Sequence, residues 1–356
     1  MDFLVAKDDL HRCRFLDAPA PDLEPGQALL EVSAFGLSAN NITYAMFGQA
    51  MSYWSFFPAD EGWGRIPVWG FAEVGGTRND ALEVGTRVYG YLAPSTSLVV
   101  APARVDEHGF IDSSAHRAAL PSAYNSYVRV DGDRSYDARC EDQQMLLRPL
   151  FFTSYLIDDF LQDSALLSAG TVLLSSASSK TASALAFLLA RREGVEVLGL
   201  TSPPSVEFTR RLGVYDSVVA YEEIGSLPER AAVYVDIAGN SDVRSAVHRR
   251  YGERLAHSAV VGATHHDQLG EVPDALPGPR PEFFFAPDRV AKRTKDWGRD
   301  GLERRLADAW APYVEWTGGW LQVTHGDGPQ ALQEAYLDLL DGRIDPATAH
   351  VLSLSA

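Results

Sequence analysis

Apolar and polar positions change period several times along the chain, and the most legible run lies between Thr171 and Tyr221. Thr171 followed by Val172, Leu173 and Leu174 is a short continuous apolar stretch, as a strand buried on both faces requires. Residues 175–179 form a serine-rich turn. Ala182, Leu185, Ala186, Leu189 and Ala190 then recur at helical spacing, and Gly194 ends the helix. Residues 195–200 read as a second strand, 201–204 as a turn, 206–212 as a second helix and Val218-Val219 as a third short strand. Strand, tight turn, helix and strand make a βαβ unit, with parallel strands and a right-handed crossover.

On the N-terminal side the pattern is mostly that of strands. Residues 3–6, 27–34, 66–74, 83–90 and 98–101 alternate or run apolar between Gly- and Pro-rich turns. Residues 131–142 are acidic and loop-like. Residues 146–161 are apolar at helical spacing, and Pro149 places the start of that helix just after itself. Beyond Tyr221, residues 232–237 and 255–261 read as further strands. Residues 273–287 form a proline-rich loop, 306–323 and 329–340 a returning helix and strand, and 342–344 and 351–354 short closing strands.

Composition narrows the class of protein. The 356 residues suit two domains, and 46% hydrophobic with 22% charged residues is ordinary for a globular chain. A net charge of −17 argues against nucleic acid or an anionic membrane as partner, because both require a positive face. Two cysteines, Cys13 and Cys140, supply neither a disulfide framework nor a four-cysteine zinc lobe, and fit a reducing cytoplasm, the expected location. The opening MDFLVAKDDLHRCRF has no apolar core of signal-peptide length, and no run approaches a membrane span, so neither export nor a membrane is expected.

A βαβ unit of this kind usually binds a nucleotide at the turn after its first strand, where backbone N–H groups and a helix N-terminus face a pyrophosphate. The glycines of the usual fingerprint are missing. Ser178, Ser179, Lys180, Thr181 and Ala182 stand in their place, so hydroxyls and one ammonium replace them at the helix mouth. The alternative for the same residues is a polar cap on an ordinary helix. The end of the second strand carries Thr201 and Ser202 and no acid; hydroxyls there suit a 2′-phosphate, which favours NADP(H) over NAD. Gly239 and Gly262 end the next two strands, at the edge where ligands of a parallel sheet sit, and join the candidate cofactor residues. His265-His266-Asp267 are adjacent, without a third partner at suitable spacing, and no metal is expected. Ser179-Lys180-Thr181 lacks both glycines of a P-loop, with Leu174 and Ser179 at their positions.

The same segment resembles the cofactor strand and helix of the medium-chain dehydrogenase/reductase superfamily, in its zinc-independent, quinone-oxidoreductase-like branch. The matching pieces are Val172-Leu173-Leu174, Ala177-Ser178, Ser183-Ala184, Leu212-Gly213, Asp216, Val218-Val219 and Tyr221. LEPGQALLEVSAFGLSANNITYAMFG resembles the opening of that superfamily's catalytic domain, and residues 83–90 its Gly-Asp-Arg-Val step. The wording SSASSKTA, LGVYDSVVAY and FFFAPDRVAKRTKDWG is similar to a subgroup catalogued mainly as uncharacterised proteins. The resemblance implies an α/β fold: a Rossmann-type doubly wound parallel sheet plus a mostly β, GroES-like catalytic domain. The expected boundaries are 1–148 for the catalytic part, 149–288 for the NADP-binding domain and 289–356 for the return to the catalytic domain. It also implies a homodimer, and a role for Tyr221 beside the adenosine phosphate; Ser205 stands where many relatives carry Lys.

Zinc-dependent members of the superfamily carry Gly-His-Glu where this chain has Gly70-Phe71-Ala72, and neither Phe71 nor Ala72 can bind zinc. Hydrogen-bond donors must then polarise the substrate. Tyr44 and Asn41, in and beside the loop that the superfamily places near the nicotinamide, are the expected catalytic residues. For Asn40 or Asn41 a plain helix cap is the alternative, and for Tyr44 packing in the aromatic stretch of Tyr53, Trp54, Phe56, Phe57, Trp63 and Trp69. That stretch reads as the wall of an apolar pocket or as core. The expected activity is hydride transfer from NADPH to a quinone, enone or other activated carbonyl in a small, apolar or aromatic substrate. The alternative is an NADP-binding protein without turnover, a sensor or partner subunit.

Overall fold

The structure, a computed structural model, describes residues 1–17, 21–261 and 276–354. Gly262, the run 265–267 and the start of the proline-rich loop lie outside the described residues. The chain divides into two compact units, Met1–Leu146 with Leu321–Ala356, and Leu147–Trp320.

The first unit is built of strands. These are β1 (Asp2–Ala6), β2 (Cys13–Leu16), β3 (Ala28–Leu37), β4 (Trp63–Gly64), β5 (Val68–Thr77), β6 (Arg87–Leu92), β7 (Ser97–Val100), β8 (Pro102–Asp106), β9 (Gly109–Asp112) and β10 (Ser126–Arg129), with helix α1 (Ala39–Met46) after β3. Helix α2 (Glu141–Asp163) begins in this unit and continues in the second. In β3, Ala28, Leu30 and Val32 are buried while Glu31 between them faces solvent, the period of a strand with one covered face. β3 pairs antiparallel with β5, Phe35 opposite Gly70. Gly70 has to be small: a Cβ there would lie 2.4 Å from the Ala34 carbonyl oxygen. Phe71 and Ala72 follow it and are completely buried in the strand.

In the second unit β11 (Thr171–Leu174), β12 (Glu196–Thr201), β13 (Ser217–Ala220), β14 (Ala232–Asp236), β15 (Leu255–Val260) and β16 (Glu282–Phe283) form one parallel sheet in the order β13-β12-β11-β14-β15-β16. Helices α3 (Lys180–Leu189), α4 (Val206–Arg211) and α5 (Ser241–Tyr251) connect its strands, and α6 (Ala286–Thr317) follows β16. This is the doubly wound order, whose direction reverses between β11 and β14. The chain then re-enters the first unit as β17 (Gln322–Asp327), α7 (Gly328–Leu340) and β18 (Thr348–Ser353); β18 pairs parallel with β17 and antiparallel with β3. The expected α/β class, with a doubly wound parallel sheet in one unit and the other unit rich in strands, is the one observed. Among the described residues no helix is long and apolar enough to cross a membrane.

Five expectations are corrected. Residues 329–340, expected as the returning strand, lie in helix α7. Helix α2 starts at Glu141 and runs through Pro149. Its first turn is acidic, which suits a helix N-terminus, and the Arg87 guanidinium grips Glu141 at 2.8 Å. Helix α3 ends at Leu189; Gly194, at φ 75°, makes the turn into β12. Residues 342–344 are no strand: Gly342 has φ 68° and the Arg343 N–H donates back to the Asp338 carbonyl, 2.9 Å, closing a turn after α7. The return to the strand-rich unit comes after Trp320, not at 289. The basic run that marked 289 is tied into the second unit: Arg289 donates to Asp163 (2.8 Å) and Arg293 to Asp159 (2.8 Å) and Asp163 (2.9 Å) on α2.

Candidate functional site

Parallel pairing puts the C-terminal ends of β11 to β14 on one edge, because Leu174 lies opposite Gly199 and Val235, and Thr201 opposite Ala220. The predicted cofactor residues follow those ends. Ser178 and Ser179 sit in the turn after β11, Lys180 and Thr181 open α3, Thr201 and Ser202 end β12, Tyr221 follows β13 and Gly239 follows β14.

The turn is rigid. Ser179 caps α3, its Oγ accepting from the Ala182 N–H at 3.2 Å. Ser178 Oγ accepts from Thr201 Oγ1, 3.2 Å, and the Thr181 carbonyl accepts from Ser154 Oγ, 2.8 Å. Ser202 and Ser205 bring their hydroxyls to 3.3 Å from one another. Ser176 takes the left-handed backbone, φ 52°, that a glycine of the usual fingerprint would supply. Its N–H donates to Tyr221 Oη at 3.0 Å. Burial raises the Tyr221 pKa, with the Ser176 N–H pulling the other way, so the phenol is neutral near pH 7 and keeps its own proton for a further acceptor.

Sequence reasoning missed the network beneath this edge. Asp236, at the end of β14 and fully buried, accepts through Oδ1 from Ser175 Oγ and from the Gly239 N–H, both 3.0 Å, and through Oδ2 from Arg244 Nε, 2.7 Å. Ser175 Oγ accepts in turn from the N–H groups of Ile237 (2.9 Å) and Ala238 (3.0 Å). Ser175 and Asp236 thus join the two strands on either side of the reversal. The available signal was the acid ending an apolar run, VYVD, beside a serine ending another, VLLS.

The predicted catalytic residues lie in the first unit. Ser38, not Asn40 or Asn41, is the N-cap of α1. Asn41 is buried, and both ends of its carboxamide are engaged with the backbone: Oδ1 accepts from the Ser38 N–H, 2.8 Å, and Nδ2 donates to the Pro67 carbonyl, 2.9 Å. It fixes the loop into α1. Tyr44 is buried too, its ring 4.6 Å from Tyr53 and 5.8 Å from Tyr91. Tyr124 and Trp69 complete the group, at 4.7 and 5.0 Å from Tyr91. Burial pushes the pKa of Tyr44, Tyr53, Tyr91 and Tyr124 upward, and neighbouring phenols add to it, so all four are neutral donors near pH 7. Tyr91 Oη is buried without a hydrogen-bond partner among the described residues. The aromatic stretch is therefore mainly core, with polar atoms turned into it.

Comparison with solved structures gives the same fold throughout. The crystal structure of CurA from Vibrio vulnificus matches with a TM-score of 0.58 and 14% identity, over 97% of this chain and 94% of that one. YhdH of E. coli K-12 with bound NADPH matches at 0.57 and 14%, over 100% of both chains. The CurK enoyl reductase matches at 0.56 and 16%, over 99% and 98%. No curated protein matches by sequence. The chain shares the fold of these three structures. Residues 35–345 match the family described as "Protein of unknown function (DUF2855)", and the chain belongs to that family.

Proposed function

We propose that this chain is a zinc-independent, NADP(H)-dependent oxidoreductase acting on a quinone, enone or other activated carbonyl compound. The observation that carries the reading is the hydroxyl-lined, carboxylate-free end of β12. Thr201, Ser202 and Ser205 offer donors to a phosphate where an acid would select a free ribose diol. Lys180 opens α3 directly after Ser178 and Ser179, and Tyr221 holds a proton that a phosphate oxygen can accept. The residues present fit NADP(H). CurA has been crystallised with NADPH, as has YhdH.

When bound, such a cofactor supplies a hydride to an electron-poor double bond. The chain's own part is to bind, orient and protonate. Phe71 and Ala72 offer no metal ligand, so the charge that develops on substrate oxygen falls to O–H and N–H donors. Tyr44 is the first choice for that donor: its raised pKa keeps the proton on Oη at neutral pH. Asn41 holds the loop ahead of it. Tyr53, Tyr124 and Trp69 supply an apolar surface for an aromatic or conjugated substrate. The reading includes a homodimer: among the described residues β16 ends the sheet order and Phe285, just beyond it, is 51% exposed, an edge that a second copy would cover.

A calorimetric titration of NADPH and NADH tests the cofactor. Wild-type protein should bind NADPH more tightly than NADH. Lys180→Ala should weaken NADPH, and Ser202→Asp should reverse the preference by setting a carboxylate against the 2′-phosphate. Binding of neither nucleotide overturns the reading. A second reading, binding without turnover, is favoured by the burial of Tyr44 and the engagement of Asn41. It predicts NADPH binding with no consumption across a panel of quinones and enones, and turnover of any of them removes it.

A further inference from the structure

Four tyrosines of the first unit close into a ring. Tyr44 lies on α1, Tyr91 on β6, and Tyr53 and Tyr124 in the short turns Tyr53–Ser55 and Ser122–Asn125. Their aromatic centres are 4.6 Å apart from Tyr44 to Tyr53, 6.3 Å from Tyr53 to Tyr124, 4.7 Å from Tyr124 to Tyr91 and 5.8 Å from Tyr91 back to Tyr44. Phe56 and Trp69 pack against them. Phenylalanine at any of the four positions would pack as well and would bury no hydroxyl, so packing alone does not call for four phenols from four separate elements. The ring is graded in exposure. Tyr91 is completely buried, Tyr44 and Tyr53 are buried, and Tyr124 reaches the surface.

The hydroxyls have an order. Burial raises the pKa of Tyr53 and of Tyr124, and each feels a neighbouring phenol, Tyr44 and Tyr53 respectively. The hydrogen bond between the two then lowers Tyr53 and raises Tyr124, which makes Tyr124 the donor and Tyr53 the acceptor. At Tyr44 burial is again the main cause and the Tyr124 phenol adds to it, while hydrogen bonds from Trp69 and Asn40 work the other way. Both reach the Tyr44 oxygen as donors, so its own proton is left for a third group. An indole and a carboxamide keep their protons at neutral pH; they steady Tyr44 and cannot reload it. Tyr91 Oη, completely buried and without a partner among the described residues, leads nowhere. The way out to solvent runs through Tyr53 and Tyr124.

We propose that Tyr53 and Tyr124 are positioning residues that carry a proton from water to Tyr44. The inference rests on the reading of Tyr44 as the proton donor to substrate oxygen. In that step the Tyr44 O–H bond breaks and an O–H bond forms on the substrate, whose electron pair arrives with the hydride. A tyrosinate is left in an aromatic layer. Tyr53 gives it a proton, Tyr124 gives one to Tyr53, and water gives one to Tyr124. Each turnover thus takes one proton from solvent, and the ring ends as it began.

The test follows NADPH consumption in weakly buffered solution, with whichever of 1,4-naphthoquinone and 3-penten-2-one the unsubstituted protein reduces faster. Tyr124→Phe and Tyr53→Phe should each lower kcat at least ten-fold, with KM kept within about two-fold. Imidazole, a mobile proton carrier, should restore kcat in Tyr124→Phe with saturation, because that side chain reaches the surface, and should not restore Tyr44→Phe. Tyr127→Phe removes another buried hydroxyl, one that donates to the Tyr91 carbonyl at 2.8 Å, and should keep kcat. In unsubstituted protein a plot of kcat against the deuterium fraction of the solvent should bow, as transfer of more than one proton requires, so the test does not depend on any variant folding. With turnover present, a linear plot, an unchanged kcat in Tyr124→Phe, or a loss that imidazole leaves in place overturns the relay alone. No turnover of either acceptor by unsubstituted protein overturns the reading of Tyr44 as donor and the relay with it.

Discussion

Asp236→Asn is the substitution that reads the nucleotide-side network most directly. The carboxylate is fully buried, and the Arg244 side chain against it is 10% exposed. Asparagine keeps the shape and can still accept from the Gly239 N–H through Oδ1. On the other side its NH₂ would face Arg244 Nε, which now donates to Oδ2 at 2.7 Å, so a donor would meet a donor and the guanidinium charge would lose its partner. Breaking a buried ion pair from one side costs about 3–5 kcal/mol. For a domain of ~150–250 residues each kcal/mol is about 2–4 °C of Tm, so the expected loss is on the order of 6–20 °C. Urea unfolding followed by circular dichroism gives the same quantity without extrapolating in temperature. Asp236→Asn/Arg244→Met removes both partners and should be less destabilised than Asp236→Asn alone, because no charge is left buried. NADPH binding should fall in the single variant, since Ser175, Ile237, Ala238 and Gly239 take their positions from this carboxylate directly or through one hydroxyl. A cost under about 1 kcal/mol for the single variant, or a double variant less stable than it, would refute the idea that the pair holds the strand ends together.

Ser176→Gly should stabilise the chain by up to about 1 kcal/mol, because it removes the left-handed cost at φ 52° and returns part of it as unfolded-state entropy; a rise in the urea midpoint at unchanged slope checks it. Gly48→Ala should cost about 1–3 kcal/mol, since its Cβ would lie 2.2 Å from the buried Trp54 ring, and the Trp54 fluorescence should shift with it. His248 is fully buried, with Nδ1 on the Pro277 carbonyl at 2.9 Å and Nε2 on Ser258 Oγ at 3.0 Å, and burial lowers its pKa below the ordinary value near ~6.5. A depressed folded-state pKa means that the unfolded chain takes the proton first. The stability His248 contributes is therefore complete above pH ~6.5 and is lost as the pH falls from there towards the folded-state value. His248→Gln should flatten that part of the urea-midpoint profile, and an unchanged slope would count against it.

How much of this was legible in the sequence depends on the range of the interaction that decides each feature. The βαβ core was legible because a buried strand and a one-sided helix write their burial into successive residues: β11 has all four residues buried, and the expected strand limits match it. The start of α2 was not. Glu141 and Asp142 look like the tail of an acidic loop until Arg87, far away in sequence, is known to grip Glu141. Arg289 and Arg293 failed for the same reason. A basic run in an acidic protein suggests phosphate or solvent, yet both side chains are buried against Asp159 and Asp163, acids from a helix more than a hundred residues earlier. Asn41 was found as a polar residue at the right loop, but its role turns on Pro67, whose carbonyl its Nδ2 meets.

The glycine-free turn shows where a motif search and the physics part. A fingerprint asks for glycine because the chain needs a left-handed residue and needs room for close approach. Here the two requirements are met separately. Ser176 adopts the left-handed backbone, and its N–H is held by Tyr221 Oη. The room comes from Gly199 in the neighbouring strand: a Cβ there would lie 3.0 Å from both Ala177 Cβ and the Tyr215 ring, and Tyr215 Oη donates to the Ala177 carbonyl at 2.8 Å. Gly199→Ala should therefore disturb the turn although it lies outside it, whereas Ser176→Gly should not. The test is NADPH affinity measured on both variants beside Tyr221→Phe. If Gly199→Ala and Tyr221→Phe each weaken binding while Ser176→Gly leaves it intact or tighter, the turn is a working phosphate site whose glycine has been displaced into β12. If Gly199→Ala binds as wild type does, the close approach at Ala177 is packing alone, and the serines of the turn cap α3 and do nothing further.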